Sequence, residues 1–274
     1  MGVIEAILLG IVQGITEWLP ISSTAHLRIV PALLGRPDPG AAFTATIQLG
    51  TLLAVLVYFG RDLIRIFVGW CRGLRGGEAA RREEARLGWA IVVGTVPIVV
   101  CGMLFQHWIK NDLRSLYVIA SSLIGMGLVM AVAERVGRRT KGLDRLGVAA
   151  GLWIGVWQAI ALIPGASRSG STISGGLFAG FDRETAARFS FLLSVPSVLA
   201  AGLKELKDEW TEIVGLHLTP VIVASLVSFV VGYGSIAFLM KYLQTRSTVV
   251  FVVYRVLLGV AILVLLQQGL LKPF

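Results

Sequence analysis

The sequence carries little charge for its length. Of its 274 residues only 15% are Asp, Glu, Lys or Arg, whereas about a quarter is usual in soluble domains. Cysteine occurs only at Cys71 and Cys101, a spacing that indicates neither a disulfide framework nor a thiolate metal site. No basic segment precedes the first apolar run, so a cleavable signal peptide is not expected. These deficits disfavour a soluble enzyme, a disordered chain and a secreted disulfide-rich protein.

Apolar residues and glycine are abundant instead. Hydrophobic residues make up 55% of the chain, glycine accounts for 32 positions, and the mean hydropathy is +0.79. Such a glycine content is typical of membrane helices that pack closely through small residues. The sequence therefore predicts an all-α polytopic membrane protein with a single membrane domain over 1–274. Six runs are long enough to cross about 30 Å of hydrocarbon as helices: 41–59, 87–107, 115–133, 186–203, 217–239 and 249–271.

Two further apolar segments are interrupted by polar residues. The segment 6–34 is broken between Glu17 and Pro20, and the segment 146–179 is broken at Pro164-Gly165. In each case a short second helix is expected after the break. We interpret both segments as re-entrant helix hairpins, which return to the side they entered from.

The two broken segments resemble each other. Gly10–Gln13 aligns with Gly155–Gln158 at an offset of 145, and Pro20–Ser23 aligns with Pro164–Ser167 after a one-residue gap. Three spans follow each hairpin, and this layout indicates an internal repeat.

The repeat and the distribution of charge together predict a topology. The fold class is two five-helix repeats, about 1–135 and 144–274, with six transmembrane helices plus two re-entrant hairpins. Because each repeat has an odd number of spans, the two are inverted. Fourteen Lys and Arg residues fall in loops on one side (61–86, 134–145 and 240–248), against four on the other (108–114 and 204–216). This bias predicts that the first set is cytoplasmic and that both termini lie outside.

The first break carries ionisable and hydroxyl side chains. Gln13 and Glu17 lie four residues apart, so they share one helix face. Ionisable groups at membrane depth are costly and are therefore candidates for function. A helix N-terminus attracts anions, and the first turn after Pro20 holds Ser22, Ser23, Thr24 and His26. His26 is predicted to move a proton or to orient a nucleophile.

The second break has the composition of a phosphate-binding loop. Arg168 offers a planar, two-point donor that suits a phosphate, and flanking glycines allow close approach of the backbone. The hydroxyl residues that accompany it are Ser167, Ser169 and Thr172. Two helix N-termini from inverted repeats would then converge on one anionic group near mid-membrane.

Both breaks resemble the signatures of a known family. Gln13–Glu17 with Ser22–His26 resembles the first signature of the undecaprenyl-pyrophosphate phosphatase family of the bacitracin-resistance type, and 164–169 followed by Thr172 resembles the second. The first acidic position of that family is Gln13 here, a variant that its pattern permits. The resemblance extends over essentially the whole chain.

This resemblance implies an activity and a set of site residues. The expected reaction is hydrolysis of undecaprenyl diphosphate to undecaprenyl phosphate and inorganic phosphate, which recycles the lipid carrier for peptidoglycan synthesis and confers bacitracin resistance. The expected location is the bacterial inner membrane, with an active site that opens to the outer side. A divalent cation, Mg²⁺ or Ca²⁺, is expected at Gln13 and Glu17. The expected catalytic residues are Glu17, Ser23, His26 and Arg168, and the expected phosphate ligands are Ser22, Thr24, Ser167, Arg168, Ser169 and Thr172. Ser23 is the favoured nucleophile, with a directly attacking water as the alternative.

Two other classes of protein, a transporter and a structural scaffold, account for fewer of these features. A transporter of anions or lipid phosphates would use the same inverted repeats and broken helices, but it needs no nucleophile such as Ser23. A structural scaffold leaves the two polar breaks unexplained. The expected partners are a polyprenyl diphosphate and membrane lipids, a homodimer stays open, and no nucleic acid is expected because the basic residues lie in loops between spans.

Overall fold

The computed structural model describes residues 2–110, 112–208 and 218–273, and these ranges are mainly helical. Eleven helices in them have more than ten residues. In chain order they are Val3–Trp18 (α1), Ser23–Leu33 (α2), Gly40–Tyr58 (α3), Gly60–Gly73 (α4), Glu83–Leu104 (α5), Leu116–Val136 (α6), Val148–Ile160 (α7), Arg168–Phe178 (α8), Arg183–Asp208 (α9), Leu218–Thr245 (α10) and Val249–Gln267 (α11).

The prediction of an all-α membrane protein is confirmed. Within the described ranges, α5, α6, α9, α10 and α11 are each long and apolar enough to cross a membrane, and α3 with α4 forms a sixth candidate that bends by 75°. Helix α5 begins four residues before the predicted span, since Glu83 and Glu84 in its first turn favour the positive end of the helix dipole. The loop predicted over 204–216 is described only as far as 208.

The two predicted breaks are present, and each is capped in the same way. Ser22 precedes α2 and Ser167 precedes α8, with positive φ values of 74° and 69°. Their hydroxyl oxygens accept hydrogen bonds from Ala25 N (3.4 Å) and Gly170 N (3.2 Å). Positive φ is uncommon outside glycine and persists only where the surroundings enforce it. Both helix N-termini are therefore held in one unusual conformation.

This geometry corrects the sequence alignment of the two breaks. Helix α7 begins 145 residues after α1, and α8 begins 145 residues after α2. The one-residue gap in the predicted alignment of the breaks is therefore wrong. Ser22 corresponds to Ser167, and Ser23 corresponds to Arg168.

Glycines let the short helices approach the long ones closely. Helix α1 packs on α10, and α7 packs on α5. A Cβ on Gly10 would lie 2.6 Å from the Ala224 carbonyl oxygen, and one on Gly155 would clash with the Gly94 carbonyl oxygen. Any side chain at either position would push the helices apart, as expected for membrane helices packed through small residues. This packing keeps both breaks inside the helix bundle.

Candidate functional site

The carboxylate of Glu17 is the centre of the site and accepts four hydrogen bonds. Its Oε1 accepts from Arg168 Nη2 (2.8 Å) and Gln48 Nε2 (3.2 Å). Its Oε2 accepts from Ser23 Oγ (2.7 Å) and Gln13 Nε2 (3.1 Å). These donors come from α1, α2, α3 and α8, so both halves of the chain meet at one carboxylate.

Arg168 has a donor left for a ligand. Its side chain is only 11% exposed, and its guanidinium lies over the ring of Trp18, 5.0 Å from the centroid. Nη1 is buried and has no hydrogen-bond partner among the described residues. A buried donor without a partner costs about 1–3 kcal/mol, more when charged. An anion placed beside Nη1 would remove that cost.

A cavity of about 170 Å³ opens beside this cluster. One side is polar, with Glu17, Gln48 and Arg168, and hydroxyl residues of both breaks also line it: Ser22, Ser23, Thr24 and Ser167. The other side is apolar and includes Ile98 and Val198. Ile98 and Ala201 also line an adjoining apolar groove of about 350 Å³ between α5 and α9. The arrangement suits a ligand with an anionic head and an apolar tail.

Two predicted phosphate ligands lie away from this cavity. Ser169 and Thr172 are fully buried. The Ser169 hydroxyl donates to the Leu19 carbonyl oxygen (3.1 Å), and the Thr172 hydroxyl bonds with that of Ser190 (2.5 Å). Both side chains thus hold α8 against its neighbours, because their helical positions turn them toward the protein interior.

His26 also lies outside the cavity wall. Its Nδ1 is 2.7 Å from the Ser22 carbonyl oxygen, which can only accept, so Nδ1 carries the hydrogen. Its Nε2 is 2.6 Å from the hydroxyl of Tyr254. The Ser23 hydroxyl donates to Glu17, and among the described residues no hydrogen bond joins Ser23 to His26. The expected His26–Ser23 pair is therefore not present in this conformation.

Arg255 links the two breaks, although the sequence marks it only as one charge within an apolar run. Its side chain is completely buried in α11. Nη1 donates to the carbonyl oxygen of Pro20 (3.2 Å), and Nη2 donates to those of Gly165 (3.0 Å) and Ala166 (2.9 Å). Nε donates to the Leu123 carbonyl oxygen (3.3 Å). One guanidinium thus joins the backbone of both breaks.

The fold and the site together define a helical membrane protein with a buried cluster of a carboxylate, a guanidinium and hydroxyl groups. Residues 6–261 match the family described as bacitracin resistance protein BacA. Curated relatives named undecaprenyl-diphosphatase include those of Chlorobaculum tepidum (52% identical, covering 100% of both chains) and Chlorobium limicola (53%, 99% of each). Another is from Myxococcus xanthus, at 50% identity over 100% of this chain and 92% of the relative.

The chain belongs to the bacitracin resistance protein BacA family, so the resemblance drawn from its two signatures is confirmed. It is a hydrolase of the phosphatase type, embedded in a membrane.

Proposed function

We propose that the protein hydrolyses undecaprenyl diphosphate to undecaprenyl phosphate and inorganic phosphate. One observation carries this proposal: the Ser23 hydroxyl and the Arg168 guanidinium bind the same carboxylate, Glu17, in a cavity that continues into an apolar groove. The names of the relatives support the choice of substrate. Through this reaction the enzyme would recycle the lipid carrier for peptidoglycan synthesis and confer bacitracin resistance.

The diphosphate would be bound between the N-termini of α2 and α8. Both offer free backbone N–H groups and a positive dipole end. The buried Nη1 of Arg168 would donate to the terminal phosphate, and Ser22, Thr24 and Ser167 would add hydroxyl donors. Phosphoryl transfer depends mainly on such positioning and charge stabilisation.

Ser23 is the proposed nucleophile, and Glu17 is the proposed base. The Ser23 hydroxyl already donates to Glu17 Oε2 at 2.7 Å. As Oγ bonds to the terminal phosphorus, its proton would pass to Glu17 and the bond to the bridging oxygen would break, releasing undecaprenyl phosphate. Water would then hydrolyse the phosphoserine and release inorganic phosphate. In the alternative, Glu17 takes the proton of a water that attacks directly.

The sequence leaves two roles open for His26, proton transfer and orientation of the nucleophile, and we propose the second. Its Nδ1–H holds the carbonyl of Ser22, which begins the first turn of α2, and its Nε2 accepts from Tyr254. It would thereby fix the direction of Ser23. Ser169 and Thr172 would fix α8 in the same way.

The apolar groove is the proposed path of the prenyl chain. It is lined by Ile98, Val99, Gly102, Met103 and Leu162. Isoprene units nearest the diphosphate would lie there, and the rest of the chain would extend into the bilayer. The reacting groups all lie in one chain, so the chemistry needs no second copy.

The residues present fit a divalent cation at Gln13 and Glu17. Gln13 Oε1 is a buried oxygen without a hydrogen-bond partner among the described residues, and Glu17 is the adjacent carboxylate. Mg²⁺ is commonly held by one or two carboxylates together with substrate phosphates. A cation bound there would neutralise part of the charge on the diphosphate.

Gln13→Glu should strengthen cation binding. A second carboxylate one turn from Glu17 adds a charged oxygen ligand, and affinity rises with the charge of the ligand set, here by roughly tenfold. Titration of the substrate-free protein with Mg²⁺, followed by thermal unfolding, measures this. Gln268→Glu, on an exposed residue, is the control. Equal Mg²⁺ responses of both variants would place the cation elsewhere.

Two inverted five-helix repeats are the proposed architecture, with the first set of basic loops in the cytoplasm and the site opening outward from the inner membrane. The repeats would pair α1 with α7, α2 with α8, α3 with α9, α5 with α10 and α6 with α11. Under this pairing the contact between α1 and α10 has its counterpart in that between α7 and α5, and the contact between α3 and α10 has its counterpart in that between α9 and α5. The contacts α3–α9 and α6–α11 map onto themselves. This agreement supports a two-fold repeat, and an odd number of spans in each half would make the two repeats inverted.

Single cysteines at positions 78, 140 and 207 would test that topology, in a background in which Cys71 and Cys101 are replaced. A membrane-impermeant thiol reagent added to intact cells should label position 207 only, because positions 78 and 140 would face the cytoplasm. Labelling of 78 and 140 on opposite sides would contradict the inverted repeats.

Arg255→Lys should impair both stability and turnover. A single ammonium cannot reach the carbonyl oxygens of both breaks, so at least one buried acceptor loses a donor, at a cost of about 1 kcal/mol or more. We expect a lower thermal midpoint and a fall in kcat of roughly tenfold, equivalent to about 1.4 kcal/mol. Arg246→Lys, on an exposed arginine, is the control. Unchanged kcat in Arg255→Lys would exclude a positioning role.

Phosphate release by purified protein tests the proposed function directly. In detergent, the enzyme should release inorganic phosphate from undecaprenyl diphosphate, whereas a transporter would release none. Ser23→Ala should abolish release if Ser23 is the nucleophile, and Ser121→Ala, on an exposed serine, should not. Substantial activity in Ser23→Ala would favour direct attack by water.

A further inference from the structure

A second cluster of positive charge lies on α4, away from the cavity at Glu17. A groove of about 500 Å³ runs between α4 and the start of α5. Its lining combines four arginines with two aliphatic side chains: Arg61, Arg65, Arg72, Arg82, Ile64 and Val68. We call this feature the α4 groove. The proposed phosphatase mechanism uses none of these residues.

The α4 groove has an excess of positive charge. Among the described residues, Glu84 is the one carboxylate that lines it, and it pairs with Arg65 (3.3 Å from Nε to Oε1). In the described part of the chain no ion pair neutralises Arg61, Arg72 or Arg82. Like charges held together repel unless an anion offsets them. The groove is therefore complementary to an anionic ligand.

The same helix exposes an apolar surface. Ile64 is 67% exposed and Phe67 is 62% exposed. On α4, Arg61, Arg65, Val68 and Arg72 follow helical spacing along one stripe, and Ile64 and Phe67 lie on the next. Helix α4 also bends by 75° from α3. A short, arginine-rich helix with one apolar face that turns away from a span is typical of the membrane interface.

We propose that the α4 groove binds one anionic phospholipid. Its phosphodiester would lie among Arg61, Arg72 and Arg82, and an acyl chain would lie along Ile64 and Val68. Arginine presents two parallel donors to a phosphate, which a diffuse surface charge does not. The apolar lining distinguishes this ligand from a free phosphate, which would leave Ile64 and Val68 exposed to water.

Lipid binding to the purified protein tests the proposal. Native mass spectrometry of the full chain in detergent would give the dissociation constant for one dioleoylphosphatidylglycerol and for dioleoylphosphatidylcholine. We expect the anionic lipid to bind more tightly. The double variant Arg61→Gln/Arg72→Gln should weaken its binding by about 30-fold, because the loss of each arginine near an anionic lipid lowers the affinity by roughly five- to sixfold.

A matched double variant distinguishes a specific lipid site from a general effect of positive charge. Arg135→Gln/Arg138→Gln removes the same charge from exposed arginines at the C-terminal end of α6 and just beyond it, and should keep tight binding. Equal weakening by both double variants would overturn the proposal. Ile64→Ser should also weaken binding of the lipid. Thermal stabilisation by inorganic phosphate equal to that by the lipid would indicate a site for free anions and likewise overturn it.

The proposal and the phosphatase assignment can fail separately. Without added phospholipid, Arg61→Gln/Arg72→Gln should unfold at the wild-type temperature and release phosphate at the wild-type rate. A loss of lipid binding with intact turnover supports the α4 groove alone. If this double variant does not fold, two other measurements test the lipid site: lipid binding by Ile64→Ser, and the comparison of thermal stabilisation by inorganic phosphate and by the lipid.

Discussion

Glu17→Gln is expected to abolish most turnover while the enzyme still binds its substrate. An amide cannot take the proton that the Ser23 hydroxyl now donates toward Glu17 Oε2. Loss of a general base commonly costs about 10²–10⁴-fold in kcat. The same change releases Arg168 from its ion pair, so both of its terminal nitrogens become available to the diphosphate. We therefore expect kcat to fall and KM to stay equal or decrease.

The measurement is steady-state phosphate release together with thermal unfolding. Removing one partner of a buried ion pair leaves the other charge uncompensated, so a lower midpoint is expected, and inorganic pyrophosphate should partly restore it. Glu5→Gln makes the same change near the start of α1 and serves as the control. A rise in KM with kcat preserved would show that Glu17 only binds, and that another group takes the proton.

Arg168→Lys is expected to be nearly as damaging as Arg168→Ala. Lysine keeps the charge but has only one nitrogen, so it cannot bind Glu17 and the phosphate through two separate nitrogens. It also lacks the planar group that lies over the ring of Trp18. If the guanidinium acts mainly in the transition state, the loss should be on the order of 10²-fold or more in kcat/KM.

Arg138→Lys, on an exposed arginine, provides the comparison for that variant. Both proteins should unfold at similar temperatures, and only Arg168→Lys should lose turnover. If Arg168→Lys retained most of the wild-type rate, the residue would act as a general attractor of anions, and the two-point contact would carry no special role.

The sequence predicts the long apolar helices and the breaks because these depend on local patterns, but it does not predict α4, most of which lies in the region 61–86 that it predicts as a loop. Uncharged runs mark the spans, and Pro20 and Pro164-Gly165 mark the interruptions. These inferences need no knowledge of which helices are neighbours. The ion pair between Glu17 and Arg168 does need it, and the sequence predicts only that the two breaks converge on one anionic group.

Residues whose role depends on packing are harder to identify. Gln48 is the only amide in the uncharged run 39–60, and nothing local indicates that α3 brings it to Glu17. Tyr254 resembles a lipid-facing aromatic until α11 is packed beside α2. The repeat alignment fails by one residue because the two breaks match in helix capping, whereas their prolines occupy different positions. For Arg255, the one signal in the sequence is its charge within the otherwise apolar run 249–271.

Arg255 also has a consequence for the order of assembly. It belongs to α11, yet it supplies the donors for carbonyl groups near residues 20 and 165. A ribosome delivers α11 after both breaks, so the earlier helices would enter the bilayer with these carbonyl groups lacking their guanidinium donor, in a medium with little water to replace it. A chain that stops before residue 249 should therefore insert and then be recognised as unfinished. Docking of α11 would then be the step that commits the nascent enzyme to its native state.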